Sequence, residues 1–298
     1  MFASGDRSGD SSATGAAGRA GAGSGTDCLC LPGFADGNGS ADRPAKNKIR
    51  EAGIPFLIQE HHEVPDRLES VLDSIYAGFA EGWMDATGAD PARRELAGEA
   101  IAFGRMLTQL LPDEPEAWGL LALMLYAEAR RQARRTAEGE FIPLRSQNKM
   151  LWNWELIQEA EAALHHASRS KRIGRYQLEA AIQSAHVEGA RTGAVSWVSV
   201  ISLYDALAQL TSSPVALVNR SLAVAELSGP DAGLAALESA GADRRLESYQ
   251  PYWAACAHLS GRTGSYDGAR HAYQVAIGLE QDPAVREYLR QCCDSLPK

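Results

Sequence analysis

The sequence predicts an all-α protein, a tetratricopeptide-like α-solenoid of stacked helical hairpins. Three observations carry that expectation. Apolar residues recur at spacings of three and four after residue 45, runs of β-branched or alternating residues are absent, and Gly or Pro punctuates the segments at short intervals. Short connections between amphipathic helices favour antiparallel neighbours, so hairpins should stack in chain order.

The elements follow in order, about a dozen in all. Segment 65–84 places Leu68, Val71, Leu72, Ile75, Tyr76 and Phe79 on one face of a first helix. Pro91 opens the second, where a first-turn proline is tolerated, and Leu96, Ile101, Phe103 and Leu107 supply its apolar side. Pro112 and Pro115 bracket a turn before a helix expected over 118–135. Helices over 147–166, 174–187, 194–210 and 214–227 repeat the pattern, with stops near Gly189, Gly193, the 211–214 turn and Gly229.

Stacked hairpins call for a search for repeats. Trp253, Ala257, Gly264, Tyr266, Ala269, Tyr273 and Ala276 fall at the offsets of a tetratricopeptide unit, spanning about 250–281. The residue types suit that role: small Ala257 and Ala269 let two helices approach, Gly264 relieves the turn, and the three aromatics fill the wedge between hairpins. A degenerate relative is expected over 215–237, with Ala223, Gly229 and Ala235 in similar parts. The earlier helices keep no strict 34-residue period.

Composition divides the chain. Over residues 1–45, Gly, Ala and Ser fill 25 positions without helical or strand periodicity, too little apolar surface to offset chain entropy, so a disordered leader is expected over 1–44. A helical domain is expected over 65–298. Asp and Glu outnumber Lys and Arg by 38 to 29, which disfavours a surface that grips nucleic acid throughout. No apolar run of membrane-spanning length occurs and no secretory signal precedes the domain, so no membrane partner is expected. Five cysteines in no paired pattern fit a reducing cytoplasm.

A screen for chemistry points away from an enzyme. There is no phosphate loop, no HExxH and no CxxC; Cys28, Cys30, Cys292 and Cys293 have poor zinc spacing. His61 and His62 diverge on an extended linker, and His165 and His166 sit near a helix end, where imidazoles suit the dipole. No catalytic residue, metal or cofactor is expected. Arg130, Arg131, Arg134 and Arg135 resemble a phosphate-binding stripe, but at a helix C-terminus they read as a solvated, dipole-complementing cluster. Trp152, Tyr176, Gln177, Asn219 and Arg220 set aromatics beside amides and a guanidinium, a composition suited to a groove for a protein or peptide partner; core packing is the competing reading for the aromatics.

Segment 45–56, AKNKIREAGIPF, resembles the last turn of sigma-factor region 4 and its following linker. The strings LLPDEPEAWGLLALMLYAEARRQAR, GRYQLEAAIQSAH and SPVALVNRSLAVAELSGPDAGLAAL, with the final tetratricopeptide unit, are similar to the C-terminal extension of one group of extracytoplasmic-function (ECF) sigma factors. The resemblance covers roughly 45–298 and makes 45–64 a stub of region 4 and linker. It implies a transcription protein whose family partners are core RNA polymerase and promoter DNA, the helical extension serving regulation. Regions 2 and 4 have no counterpart here, so promoter binding by this chain alone is not expected. Asn148 and Asn153 stand where that group usually shows acidic residues. Permitted codons for residues 36–44, read one base later, encode a peptide close to the sigma helix before such a stub, which makes the leader a candidate out-of-frame region 4. The alternative is a stand-alone tetratricopeptide-like scaffold that binds a protein partner.

Overall fold

The computed structural model describes residues 64–83 and 91–297. The leader, the stub up to residue 63 and the His61–His62 pair lie outside the described residues. The described residues form eleven α-helices and, in place of any sheet, an isolated antiparallel bridge between Arg135 and Phe141. The all-α helical-hairpin class expected from periodicity is what the chain adopts.

Helices α1 (Val64–Trp83) and α2 (Pro91–Leu110) pair first and pack on α3 (Pro115–Glu128). α3 is the axis of the N-terminal half. Its sequence, PEAWGLLALMLYAE, is apolar on every side, and all of its residues from Gly119 to Ala127 are buried. A helix without a polar face must be covered all round; α1, α2, α4 (Trp154–Ser168) and α5 (Arg175–Thr192) do so. Gly119 is needed at the α3–α5 crossing, because a Cβ there would sit 2.7 Å from the backbone nitrogen of Gln177.

From α5 onward the helices pack mainly on their neighbours in the chain: α6 (Trp197–Thr211), α7 (Pro214–Ser228), α8 (Pro230–Ala240), α9 (Gln250–Thr263), α10 (Tyr266–Leu279) and α11 (Pro283–Asp294). The core follows the same course. A cluster around α3 passes, through α5, to one formed by Ile182, Val200, Tyr204 and Leu207, then to one on α7–α9, and finally to one on α9–α11. Contacts are therefore mostly local in sequence, as in a solenoid.

Helix α5 runs on through Gly189 to Thr192, five residues past the expected end, and two other boundaries differ more. The third helix stops at Glu128 rather than running to Arg135, although AEARRQARR is a strong helix former. Tertiary contacts end it: the Ala129 carbonyl accepts from the Asn153 amide at 2.8 Å, and Ala133 is fully buried in a 3₁₀ turn over Arg131–Arg134. The helix expected over 147–166 begins only at Trp154, where the Asn153 carboxamide caps the amides of Glu155 and Leu156. Residues 129–153 thus form a long connector instead of two helix ends.

The C-terminal segment forms the hairpin of α9 and α10. Ala257, Tyr273 and Ala276 are buried in one cluster, Ala269 is fully buried as well, and Gly264 caps α9 at φ +85°. Tyr266 opens α10, and half-buried Trp253 packs against the same cluster while its indole donates to the Glu247 carbonyl. In the degenerate unit Ala223 is buried and Gly229 takes φ +96°, but Ala235 is exposed. The close approach falls on Gly233, where a Cβ would lie 2.4 Å from the Ala225 Cβ. α8 begins at Pro230 directly after Gly229, and that start rotates residue 233 rather than 235 toward α7.

Candidate functional site

The connector from α3 to α4 positions the site. It runs from the end of α3 past α5, α6 and α7 and reaches α11. Lys149 Nζ donates to the Ala190 carbonyl at 2.6 Å, Arg145 covers the Trp197 ring at 5.2 Å and pairs with Glu226 at 2.9 Å, and the Phe141 ring meets Tyr288 edge-on at 5.5 Å. Arg135 closes the path by pairing with Asp282. The N-terminal and C-terminal halves are thereby tied together along one side.

Two cavities flank the shared residues Tyr204 and Asn219. One, of about 500 Å³, lies under the connector and is lined by Arg145, Trp152, His186, Trp197 and Glu226. The other, about 810 Å³, is a groove between α1, α5, α6 and α7 that reaches Tyr249. Asn219 is 8% exposed, an amide held at the boundary between the two.

The groove's polar wall is built from the start of α5. Gly174 precedes that helix, and a Cβ there would clash with the Glu116 carboxyl at 2.1 Å. This closeness lets Glu116 accept from the amides of Tyr176 at 2.9 Å and Gln177 at 3.1 Å, a carboxylate capping the positive end of α5. Tyr176 donates its hydroxyl to Asp73 at 2.6 Å, and Arg175 bridges Asp73 and Glu179 at 3.4 and 2.8 Å. Burial pushes the Glu179 carboxyl up to about 7 despite Arg175, and its Oε2 is buried without a partner. Desolvation by burial, with the charges of Arg130 and Arg145, lowers His186 to about 4, so it is neutral.

The five expected groove residues separate. Tyr176 and Asn219 line the groove, and Trp152 lines the cavity under the connector, as Asn219 also does. Gln177 is buried between helices, donating to Glu116 Oε1 and the Arg172 carbonyl. Arg220 is paired with Asp205 of α6, away from both cavities. Glu179, Tyr204 and Tyr249 complete the groove and were not singled out in sequence. A polar residue at a buried register of α5 was the one signal for Glu179; Tyr249 precedes a different helix and gave none.

The arginine cluster is not a solvated stripe. Because α3 ends at Glu128, Arg131 and Arg134 fold back on the Trp83 ring, at 5.2 and 4.1 Å from its centre. His166, near the C-terminus of α4, stacks on Trp118 at 4.3 Å and contacts the Pro112 carbonyl at 3.1 Å. No group of three His, Cys, Asp or Glu placed to hold a metal occurs among the described residues.

Residues 67–168, covering most of α1 through α4, match a family described as a family of unknown function (DUF6596). The chain is also similar to an uncharacterized protein of Rhizobium meliloti (strain 1021), 36% identical over 252 residues. That match takes in 85% of this chain and 59% of the relative, so the chain spans about three fifths of the relative's length. No solved structure matches. No described helix is long and apolar enough to cross a membrane.

Proposed function

We propose that this chain is the regulatory helical part of a sigma-factor-like transcription protein, acting by holding a polypeptide segment in the groove between α1, α5, α6 and α7. The observation that carries the reading is the groove itself. It is long enough to reach from Asp73 to Tyr249, and mixes the aromatic rings of Tyr176 and Tyr204 with the Asn219 amide and the Glu179 carboxyl. Such a surface suits an extended peptide, whose backbone needs amide partners and whose side chains need apolar contact. The string resemblance to the ECF extension supports the transcription setting, and the greater length of the Rhizobium relative leaves room for further regions.

The test is binding of the full 298-residue chain, by biolayer interferometry, to purified bacterial core RNA polymerase and to an ECF sigma fragment holding regions 2 and 4. Saturable binding to either that Asn219→Arg weakens about tenfold is expected, the size of one lost buried contact. Absence of binding to both overturns the transcription reading. Promoter DNA alone should not be bound at moderate salt, since the resemblance places the described residues in the helical extension and not in the DNA-binding regions. The stand-alone scaffold is the second reading, favoured by the placement of the C-terminal tetratricopeptide residues. It predicts a partner captured through the same groove that is neither polymerase nor sigma.

A further inference from the structure

The cavity under the connector is a second site, sharing only Tyr204 and Asn219 with the groove. Its volume of about 500 Å³ falls within the range of small-molecule pockets, about 300–1,000 Å³. Trp152 of the connector, Trp197 of α6 and Leu222 of α7 give it aromatic and aliphatic walls from three elements. The charged groups around it are already engaged. Arg145 pairs with Glu226 and covers Trp197, Glu226 also accepts from Arg262, and Lys149 donates to the Ala190 carbonyl. His186 is uncharged. An ionic ligand would lose its hydration here without meeting an unengaged counter-charge among the described residues, a cost that favours a neutral one.

Asn219 is the exception to this pairing. It is more than nine-tenths buried, at 8% exposed, and its carboxamide has no hydrogen-bond partner among the described residues. Neither polar atom is sealed away from the solvent probe, so the carboxamide opens on the cavities it borders. Its neighbours on α7, Ala216, Val218, Leu222 and Ala223, are buried and small or apolar, so packing by itself calls for an apolar side chain at this position. Buried polar groups are nearly always bonded, and an unmet one carries a desolvation cost that a partner would offset. A carboxamide sets an acceptor beside a donor, and its complement is another amide edge with the two reversed.

We propose that the cavity under the connector binds a neutral, flat, fused-ring molecule that carries a lactam edge, an N–H beside a C=O. The lactam N–H donates to Asn219 Oδ1 and the lactam carbonyl accepts from Nδ2, while the rings lie against the indoles of Trp152 and Trp197. This occupant is separate from the polypeptide placed in the groove and does not rest on the transcription reading, since its binding involves neither polymerase nor a sigma fragment.

The experiment titrates the full chain with carbostyril, a fused-ring lactam, by isothermal calorimetry. Saturable binding with a Kd below about 1 mM is expected, the range open to so small a molecule. N-methylcarbostyril, which loses only the donor, and naphthoate, which puts a charge in place of the lactam, should each bind about tenfold more weakly or worse. Asn219→Leu keeps the volume and removes the unmet amide, so it should melt no lower than wild type. It should bind carbostyril about tenfold more weakly and no longer distinguish it from the N-methyl form. Trp197→Leu should also weaken carbostyril, whereas Leu210→Gln, exposed on the groove wall, should leave it unchanged. No saturable binding of carbostyril overturns the proposal, as does naphthoate binding equally well or equal binding in wild type and Asn219→Leu. A loss in Leu210→Gln that matches Trp197→Leu overturns it too, because the ligand then sits in the groove. Should Asn219→Leu not fold, wild type decides through the ratio of carbostyril to N-methylcarbostyril affinity, and a ratio near one sinks the lactam contact.

Discussion

Arg145 of the connector pairs with Glu226 of α7 at 2.9 Å, and Glu226 also accepts from Arg262 of α9 at 2.8 Å. One carboxylate, 13% exposed at its side chain, thus joins three elements that are far apart in sequence. Burial alone would raise its pKa, but the two arginines hold it below the usual carboxylate value.

Replacing Glu226 with Gln should therefore loosen the connector. The Arg145 side chain is 39% exposed, so solvent screening limits the loss to about 1–2 kcal/mol. Hydrogen exchange should accelerate over residues 136–152 while the amides of α3 keep their protection. Equal protection in the variant would show that Phe141 and Lys149 hold the connector without this pair.

The C-terminal repeat predicts a graded series. Ala269→Leu overpacks a fully buried crossing and should cost about 1–3 kcal/mol. Trp253→Ala should cost about 2 kcal/mol, less than for a fully buried indole, because the ring is half-exposed. Arg270 donates twice to the Pro297 carbonyl at 3.1 Å, so its alanine variant should lose about 0.5–1 kcal/mol. Urea midpoints order the three.

Gly233→Ala should destabilise by about 1–3 kcal/mol, since its methyl would meet the Ala225 Cβ and the Ser221 carbonyl, the latter at 2.9 Å. Ala235→Ser, on the exposed side of the same helix, should stay within about 0.5 kcal/mol. The pair of melting temperatures fixes the phase of α8.

Stability should depend on pH with two opposing contributions. His186 and His258 are lowered to about 4 by burial, so the unfolded chain takes up their protons first as pH falls below about 6.5. Each removes stability between about pH 6.5 and 4, up to about 3 kcal/mol apiece. Glu179, raised to about 7, acts in the other sense: the folded state keeps its proton where the unfolded chain has lost it, so its stability contribution falls as pH rises from about 4.5 to 7. His186→Gln should flatten the acid side of the profile. Glu179→Gln should gain on wild type by about 2–3 kcal/mol between pH 5 and 8, read from urea unfolding at each pH.

Much of the molecule is determined locally. Spacing of Leu, Ile and aromatic residues, first-turn prolines at 91, 115, 214, 230 and 283, and glycines at 193, 229 and 264 place most helices and their ends, because each acts within one or two turns. The same short reach is why the offsets of Ala257, Ala269, Tyr273 and Ala276 carry information on burial, and all four are buried. Tyr176 and Asn219 could be marked as groove candidates by residue type.

Only the tertiary structure decided the rest. Residues 129–135 have the propensity to continue α3, yet the indole of Trp83, the amide of Asn153 and the carboxylate of Asp282 outweigh it, each from more than 15 residues away. That one unwound segment turns an expected solvated arginine stripe into a cavity wall and frees the connector to bridge both halves. Gln177 and Arg220 have the same residue types as groove ligands but are consumed by Glu116 and Asp205. Helical periodicity specifies which face of a helix is buried; it carries no information on which distant partner arrives there, and the partner sets the charge balance of the site.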